Sequence, residues 1–106
     1  MSDSEEEVQV LDPEEDNYAI LNRYEELKET NISRPLLSKY EKTKILSERT
    51  QQLSNGSVSF LKNPKSYSNL YEIALEELRQ KKLPFLIRRP VANRYEYWKL
   101  SDLVIL

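Results

Sequence analysis

The 106-residue chain has no cysteine, no histidine and a single glycine, Gly56. Without thiols there are no disulfides, thiolate metal sites or cysteine nucleophiles. Without imidazole there is no Ser–His catalysis and no histidine pH switch. One glycine cannot build a loop that cradles a phosphate. No apolar run approaches the ~20 residues that span a bilayer. The start, MSDSEEEV, is acidic and lacks the basic and apolar regions of a secretory signal, so an intracellular protein, not a secreted one, is expected. The sequons Asn31-Ile-Ser33 and Asn55-Gly-Ser57 are then chance matches. Carboxylates are abundant, but a chain this short hardly forms the cleft that a two-carboxylate site needs. The expectation is a non-enzyme with no metal or other cofactor.

What is present is charge, unevenly placed. Residues 1–32 carry 11 acidic and 2 basic side chains, net −9, whereas residues 33–106 carry 7 acidic and 14 basic, net +7. This split predicts an acidic tail, 1–32, ahead of a basic folded module, 33–106. The first sixteen residues hold too few apolar groups to offset their ordering entropy and are expected to be disordered. Pro13, the acidic run Glu14-Glu15-Asp16, and Ile20, Tyr24 and Leu27 at helical spacing predict a transient helix over 14–29, completed on a partner. Ser2 and Ser4 each precede a glutamate by three residues, the pattern of an acidic-directed phosphorylation site; the plain alternative is serines in a solvated tail.

In the module, Ser38 and Glu41 read as a capping box opening a helix to about Ser54, stopped by Asn55-Gly56. Leu46, Thr50 and Leu53 share a face with Arg49. That arginine either snorkels past the apolar stripe or pairs with a carboxylate, this chain's own or a partner's. A short strand is expected at Val58–Leu61 in the following loop. Asn69, with Glu72 three residues on, predicts a second helix. Its apolar side is Leu70, Tyr71, Ile73, Ala74, Leu75 and Leu78, and Lys81 and Lys82 lie in its last turn. Phe85-Leu86-Ile87 reads as a strand closed by Pro90. Val91–Asn93 makes a turn, and Tyr95-Glu96-Tyr97-Trp98 returns as a strand. A helical turn at Ser101-Asp102 precedes the apolar end Leu103–Leu106, which is either tucked in or buried in a partner. The fold class is therefore small α+β: two main helices, then a few short antiparallel strands. A module of this size without metal or disulfide is marginal alone and gains from a partner.

Three blocks, SKYEKTKILSERTQQL (38–53), LYEIALEELRQKKLPFLIRRP (70–90) and YEYWKLSDLVI (95–105), resemble one family. It is the small RNA polymerase subunit called omega in bacteria, subunit K in archaea, and the sixth subunit shared by the eukaryotic nuclear polymerases. The resemblance covers residues 35–106 in order, and the eukaryotic form also carries an acidic tail. It implies an omega-like fold and a non-catalytic subunit that clasps the largest polymerase subunit and promotes its assembly. Carried over by position, the contact residues are Tyr40, Leu46, Arg49, Gln52 and Leu53 in the first block. Ala74, Leu78, Arg79, Pro84, Arg88 and Arg89 follow in the second, and Trp98 in the third. The resemblance implies contact with DNA only through the rest of the core enzyme, and none with a membrane; the tail is a candidate docking segment for a transcription factor. Where the family has Gly-Thr-Arg-Ala, this chain has Ser47-Glu48-Arg49-Thr50. Asn69-Leu70 replaces Asp-Pro, and Val91-Ala92-Asn93 replaces Pro-Asp-Gly. Such departures fit a diverged member of the kind encoded by large DNA viruses. The implied location is the nucleus for a cellular form, and the virion or a cytoplasmic viral factory for a viral one.

Within RQKKLPFLIRRP (79–90), the lysines complement a helix end and the apolar run is a buried strand. Arg88 and Arg89, adjacent on a strand, face opposite ways. At least one of them is expected to make a bidentate bond to an acidic group or backbone carbonyls of the largest subunit; the alternative is two solvated charges at a strand edge. A competing function is a small nucleic-acid-binding module, supported by the +7 charge and by Tyr95, Tyr97 and Trp98.

Overall fold

The computed structural model describes residues 7–13 and 17–106. Ser2 and Ser4, and the acidic run 14–16, lie outside them. The element order is β1 (Gln9–Leu11), α1 (Tyr18–Asn22), α2 (Tyr24–Glu29), α3 (Lys39–Ser54), α4 (Leu70–Arg79), β2 (Leu86–Val91) and β3 (Arg94–Lys99). Short 3-10 turns occupy Pro64–Ser66 and Leu100–Asp102. The α+β expectation holds, with α3 and α4 as the two longer helices and antiparallel strands near the C-terminal end. Two compact units divide the chain: Lys39–Leu83, and the segment up to Ser38 together with Pro84–Leu106.

The Lys39–Leu83 unit is a helix pair. Glu41, Ile45, Leu46, Arg49 and Leu53 are the buried positions of α3, and Ile73, Ala74, Glu77 and Leu78 those of α4. Both sets recur at three- and four-residue intervals, the period of one helical face. Ser47 and Glu48 point to solvent, so the bulk they add relative to the family pattern meets nothing. Thr50 is half-buried, and its hydroxyl oxygen is enclosed without a hydrogen-bond partner. Asn69 caps α4 by accepting the Glu72 N–H at 2.9 Å, as its spacing predicts.

The far end of α4 differs from expectation. The helix stops at Arg79, and Lys81 is not in a last turn but in the left-handed region at φ 54°. The Lys81 N–H donates to the Leu78 carbonyl at 2.9 Å and the Lys82 N–H to the Glu77 carbonyl at 3.0 Å. This is a Schellman termination, whose left-handed position is usually glycine. The strand expected at Val58–Leu61 does not form either. That segment is loop, and Val58 is 86% exposed.

The other unit centres on a three-stranded antiparallel sheet, order β1-β2-β3. Strands β2 and β3 form a hairpin in which Val91 pairs with Arg94 across a two-residue turn, Ala92-Asn93. Ala92 takes φ 56°, where such turns favour glycine or asparagine. Pro90 does not close the strand; it lies inside β2, opposite Tyr95. The Phe85 carbonyl accepts from the Leu100 N–H, so odd-numbered residues of β2 turn their backbone groups toward β3. Pro90 faces the other way, past the end of β1, and its missing N–H removes no bond of the hairpin.

The described part of the tail is not disordered. Gln9, Val10 and Leu11 pair with Arg88, Ile87 and Leu86, and Val8 is buried. Two short helices, α1 and α2, replace the single helix expected over 14–29, broken at Arg23. Tyr24 is buried, and its hydroxyl donates to Asp102 at 2.7 Å and accepts the Lys99 N–H at 2.9 Å. All of these contacts lie more than 60 residues apart in sequence, a kind of pairing that local composition does not reveal. At the chain's end Leu103 is buried, Val104 makes a parallel bridge with Leu36, and Leu106 is exposed.

Two glycine-like positions are held by side-chain-bearing residues. Lys81→Gly and Ala92→Gly should each raise stability by about 0.5–1 kcal/mol, since a left-handed conformation costs other residues about that much or more. Thr50→Ala should also be neutral or stabilising, by up to about 1 kcal/mol, because it removes an unpaired buried oxygen and improves helix propensity. Urea denaturation of the three variants measures both; a lower midpoint for any of them contradicts the assignment at that position.

Candidate functional site

Three carboxylates are buried among the described residues, Glu41 and Glu77 in the helix pair and Glu96 in the sheet unit, and Glu77 and Glu96 are the most enclosed. In the helix pair Glu77, 0% exposed, faces Arg49, 3% exposed. Both sit on apolar faces, and the ion pair joins α3 to α4. Arg49 Nε donates to Glu77 Oε1 at 2.6 Å and Nη2 to Oε2 at 3.0 Å, the two-pronged geometry that guanidinium planarity favours. Nη1 donates to Gln52 Oε1 at 2.9 Å and Nη2 also to the Val58 carbonyl at 3.2 Å. The Phe60 ring lies 4.7 Å from the guanidinium. Glu77 Oε2 further accepts the Ser59 hydroxyl and the Phe60 N–H, both at 2.8 Å. Burial alone would push the Glu77 carboxyl up; the hydrogen bonds from Arg49, Phe60 and Ser59 outweigh it and hold the group below its ordinary range.

This network explains the missing strand. Within Val58–Leu61, the Val58 carbonyl, the Ser59 hydroxyl and the Phe60 N–H are committed to Arg49 and Glu77. Backbone groups used that way are not available to a ladder.

In the sheet unit the carboxylate is Glu96, on the same sheet face as Arg89 and Trp98. Oε2 accepts the Ile32 N–H at 2.6 Å, and Oε1 accepts the Ser33 N–H at 3.1 Å and the Ser33 hydroxyl at 2.5 Å. Ser33 Oγ in turn accepts from Arg89 Nη1 and Trp98 Nε1, each at 3.1 Å, so its one donor and two acceptor sites are filled. Arg89 also donates to the carbonyls of Arg34 at 2.9 Å and Leu36 at 3.2 Å. Arg94 reaches the Thr30 carbonyl at 2.6 Å and Glu96 at 3.3 Å. Burial again works against the charge of Glu96, and Ser33, the Ile32 and Ser33 N–H groups and Arg94 overcome it, leaving the carboxyl below its ordinary range.

These contacts sort the residues expected to meet a partner. Leu46, Arg49, Leu53, Ala74, Leu78 and Trp98 are buried within the chain. Arg49 pairs with this chain's own carboxylate, the first of the two pairings its position allowed. In the helix pair, Tyr40 and Gln52 are half-buried and Arg79 is exposed, bonded to Glu76 through Nε at 2.9 Å and through Nη2. In the sheet unit, Pro84 is exposed and Arg88 and Arg89 are half-buried. The two arginines do face opposite ways. Arg89 holds backbone carbonyls of its own chain, and Arg88 stacks over Tyr95 at 4.2 Å.

Glu77, Glu96 and Ser33 escaped the sequence reading as network residues, though the two glutamates left a trace. Glu77 lies three residues after Ala74 and four after Ile73, an acidic side chain on an apolar stripe, as Arg49 is a basic one on its own. Glu96 shares a strand face with Trp98. Ser33 carried no comparable signal, and Tyr24 was read only as an apolar position of a helix.

Replacing one member of the buried pair leaves the other charged and alone. Arg49→Met and Glu77→Gln should each cost about 3–5 kcal/mol, while the Arg49→Met/Glu77→Leu double variant should recover most of that loss. Urea denaturation of the unaltered chain, Arg49→Met, Glu77→Leu and the double variant closes the cycle, and additive losses would contradict a coupled pair. The pH dependence has a definite sign. Both carboxyls titrate below their ordinary value of 4.5 in the folded chain, so their stabilisation is complete above that value and fades as pH falls through the depressed ones. The melting temperature should fall on acidification below about 4.5 and hold between pH 6 and 8.

A family model described as RNA polymerase Rpb6 matches residues 31–85, which take in α3, α4 and the loop pinned between Arg49 and Glu77. The DNA-directed RNA polymerases I, II, and III subunit RPABC2 of Schizosaccharomyces pombe is 35% identical over 78 residues, 73% of this chain and 54% of that protein. The subunit of the same name from Saccharomyces cerevisiae is 30% identical over 79 residues, 74% of this chain and 50% of that protein. The DNA-directed RNA polymerases II and V subunit 6B of Arabidopsis thaliana is 30% identical over 107 residues, 95% of this chain and 74% of that protein. The chain thus spans about half the length of the two yeast relatives and about three quarters of the plant one. With the buried ion pair and its loop inside the matched region, and a relative aligned along nearly all of it, the chain belongs to the RNA polymerase Rpb6 family.

Proposed function

We propose that this chain is a non-catalytic subunit of a DNA-dependent RNA polymerase, docking on the largest subunit and promoting its assembly. The observation that carries the reading is the family match over residues 31–85 together with the near full-length plant relative. The internal networks support it: within each unit Glu77 and Glu96 are held by donors of the chain itself, and segments ordered before docking lower the ordering cost of binding. The docking residues are those with free surface: Tyr40, Gln52 and Arg79 in the helix pair, and Pro84, Arg88 and Arg89 in the sheet unit. Leu46, Arg49, Leu53, Ala74, Leu78 and Trp98 act behind them, as the frame that fixes their positions. A cellular form works in the nucleus; a viral form would work in a cytoplasmic factory or the virion. The acidic tail serves as the docking segment for a transcription factor.

A nucleic-acid-binding role draws less support. Trp98 is buried with its ring N–H on Ser33, and Tyr95 is covered on one face by Arg88. Neither leaves the open aromatic platform that base stacking uses.

The test is recovery of the tagged full chain from its native source with nuclease present at ~0.5 M salt, where phosphate contacts are weak. The two large polymerase subunits should come with it in equal amounts. Arg79→Ala should lower that recovery severalfold with little change in melting temperature, as exposed charges contribute little to folding. Recovery of the chain alone, with nucleic-acid binding at low salt, would overturn the proposal.

A further inference from the structure

The β2–β3 hairpin has one edge that its own turn does not fill. Even-numbered residues of β2 turn their backbone groups away from β3, so the N–H and C=O of Leu86 and Arg88 face outward along that edge. A two-stranded hairpin alone is marginal in water, and such an edge is a template for another strand. Here it is filled by Gln9–Leu11, with Leu11 opposite Leu86 and Gln9 opposite Arg88. The occupant is short, only three residues. Pro90 offers no N–H opposite Glu7, so the ladder cannot lengthen in that direction. What holds the segment besides its backbone is buried Val8, half-buried Val10 and Leu11, and a 3.3 Å hydrogen bond from the Tyr95 hydroxyl to Glu7. Arg88, stacked on Tyr95, adds positive charge on the same side.

We propose that the outer edge of β2 is a strand-acceptor site for an extended, acidic and alternately apolar peptide of a binding partner, and that Gln9–Leu11 is the internal occupant a partner segment displaces. The chemistry of the ligand is read from the seated strand. It runs antiparallel to β2, gives two bonded backbone pairs to Leu86 and Arg88, and places a carboxylate near Tyr95 and Arg88 two residues before its first paired position. A tethered segment competes at an effective concentration on the order of millimolar, so a partner peptide binds only if its own contacts exceed those of the tail or if the tail is held elsewhere. This site does not depend on the polymerase reading, because it concerns the edge and not the identity of the partner.

Two measurements on the full chain test it. In native-state hydrogen exchange the Leu86 and Arg88 amides, bonded toward β1, should exchange at least about tenfold faster than those of Ile87 and Arg89, bonded toward β3, because the tail strand opens without the hairpin. Equal rates would make the tail strand an integral part of the sheet and overturn the proposal. In the second, a synthetic peptide of residues 5–12, EEEVQVLD, is titrated into the isotope-labelled Val8→Asp/Val10→Asp variant. It should shift the resonances of residues 86–90, at least about fivefold more tightly than in the unaltered chain, while a peptide of the same composition in scrambled order should not. Unmoved resonances would refute the acceptor site, and so would a concentration-dependent dimer of the variant, which would make a second copy of the chain the occupant. Should the double variant fail to fold, the exchange ratio in the unaltered chain decides.

Discussion

A carboxylate taken out of water must be given hydrogen bonds or lose its charge, and both units of this chain are arranged to meet that demand. Glu77 receives a two-pronged arginine, a hydroxyl and an amide; Glu96 receives two amides, a hydroxyl and a second arginine. Each network takes one arginine from a regular element and its remaining donors from a segment that has no regular structure of its own. Ser59 and Phe60 are fixed by Glu77, and Ile32 and Ser33 by Glu96. The loops of the protein are therefore ordered by charge as well as by apolar packing. Such an arrangement adds little net stability compared with a hydrophobic filling of the same space. Its effect is selective: an apolar cluster tolerates several packings, whereas a buried carboxylate accepts only the one that supplies its donors.

The same logic governs what could be read from sequence. Elements set by local signals were legible: α4 from the Asn69 cap and its apolar face, α3 from its periodicity, and the hairpin from Tyr95–Trp98 returning on Phe85–Ile87. Elements set by distant partners were not. Val58–Leu61 has strand-like composition, yet its polar groups answer to Arg49 and Glu77. The tail looked too charged to order, and by composition it is; Val8, Val10 and Leu11 find a sheet edge nearly 80 residues away that composition cannot reveal. Pro90 reads as a strand terminator unless the direction of its missing N–H is known. The family pattern named twelve contact positions, but a pattern does not separate residues that touch a partner from those that hold such residues in place.

The scarcity of glycine has a related consequence. With one glycine in the chain, the left-handed positions after α4 and in the hairpin turn fall to Lys81 and Ala92. Both are exposed, so neither strain is offset by burial of its own side chain. They persist because their neighbours over-determine them: the α4 terminus closes two backbone bonds around Lys81, and the register of β2 with β3 allows only two residues in the turn. Local strain is thus carried by secondary structure already held elsewhere.

A module built in this way suits a role in a larger assembly for a physical reason. Its apolar core is small, and much of its definition comes from polar networks that specify geometry more than they lower free energy. Binding to a partner raises stability in proportion to affinity for the folded form alone. A chain that already holds its loops and hairpin in one arrangement loses little conformational entropy on docking, so more of the contact energy is available to the complex. The acidic tail adds a second level to this. As long as Gln9–Leu11 occupies the β2 edge, the edge is covered against unspecific strand pairing, the hazard of any short exposed sheet. A partner able to replace this three-residue strand would gain that edge without breaking the hairpin, because the hairpin bonds from Ile87, Arg89 and Val91 point the other way.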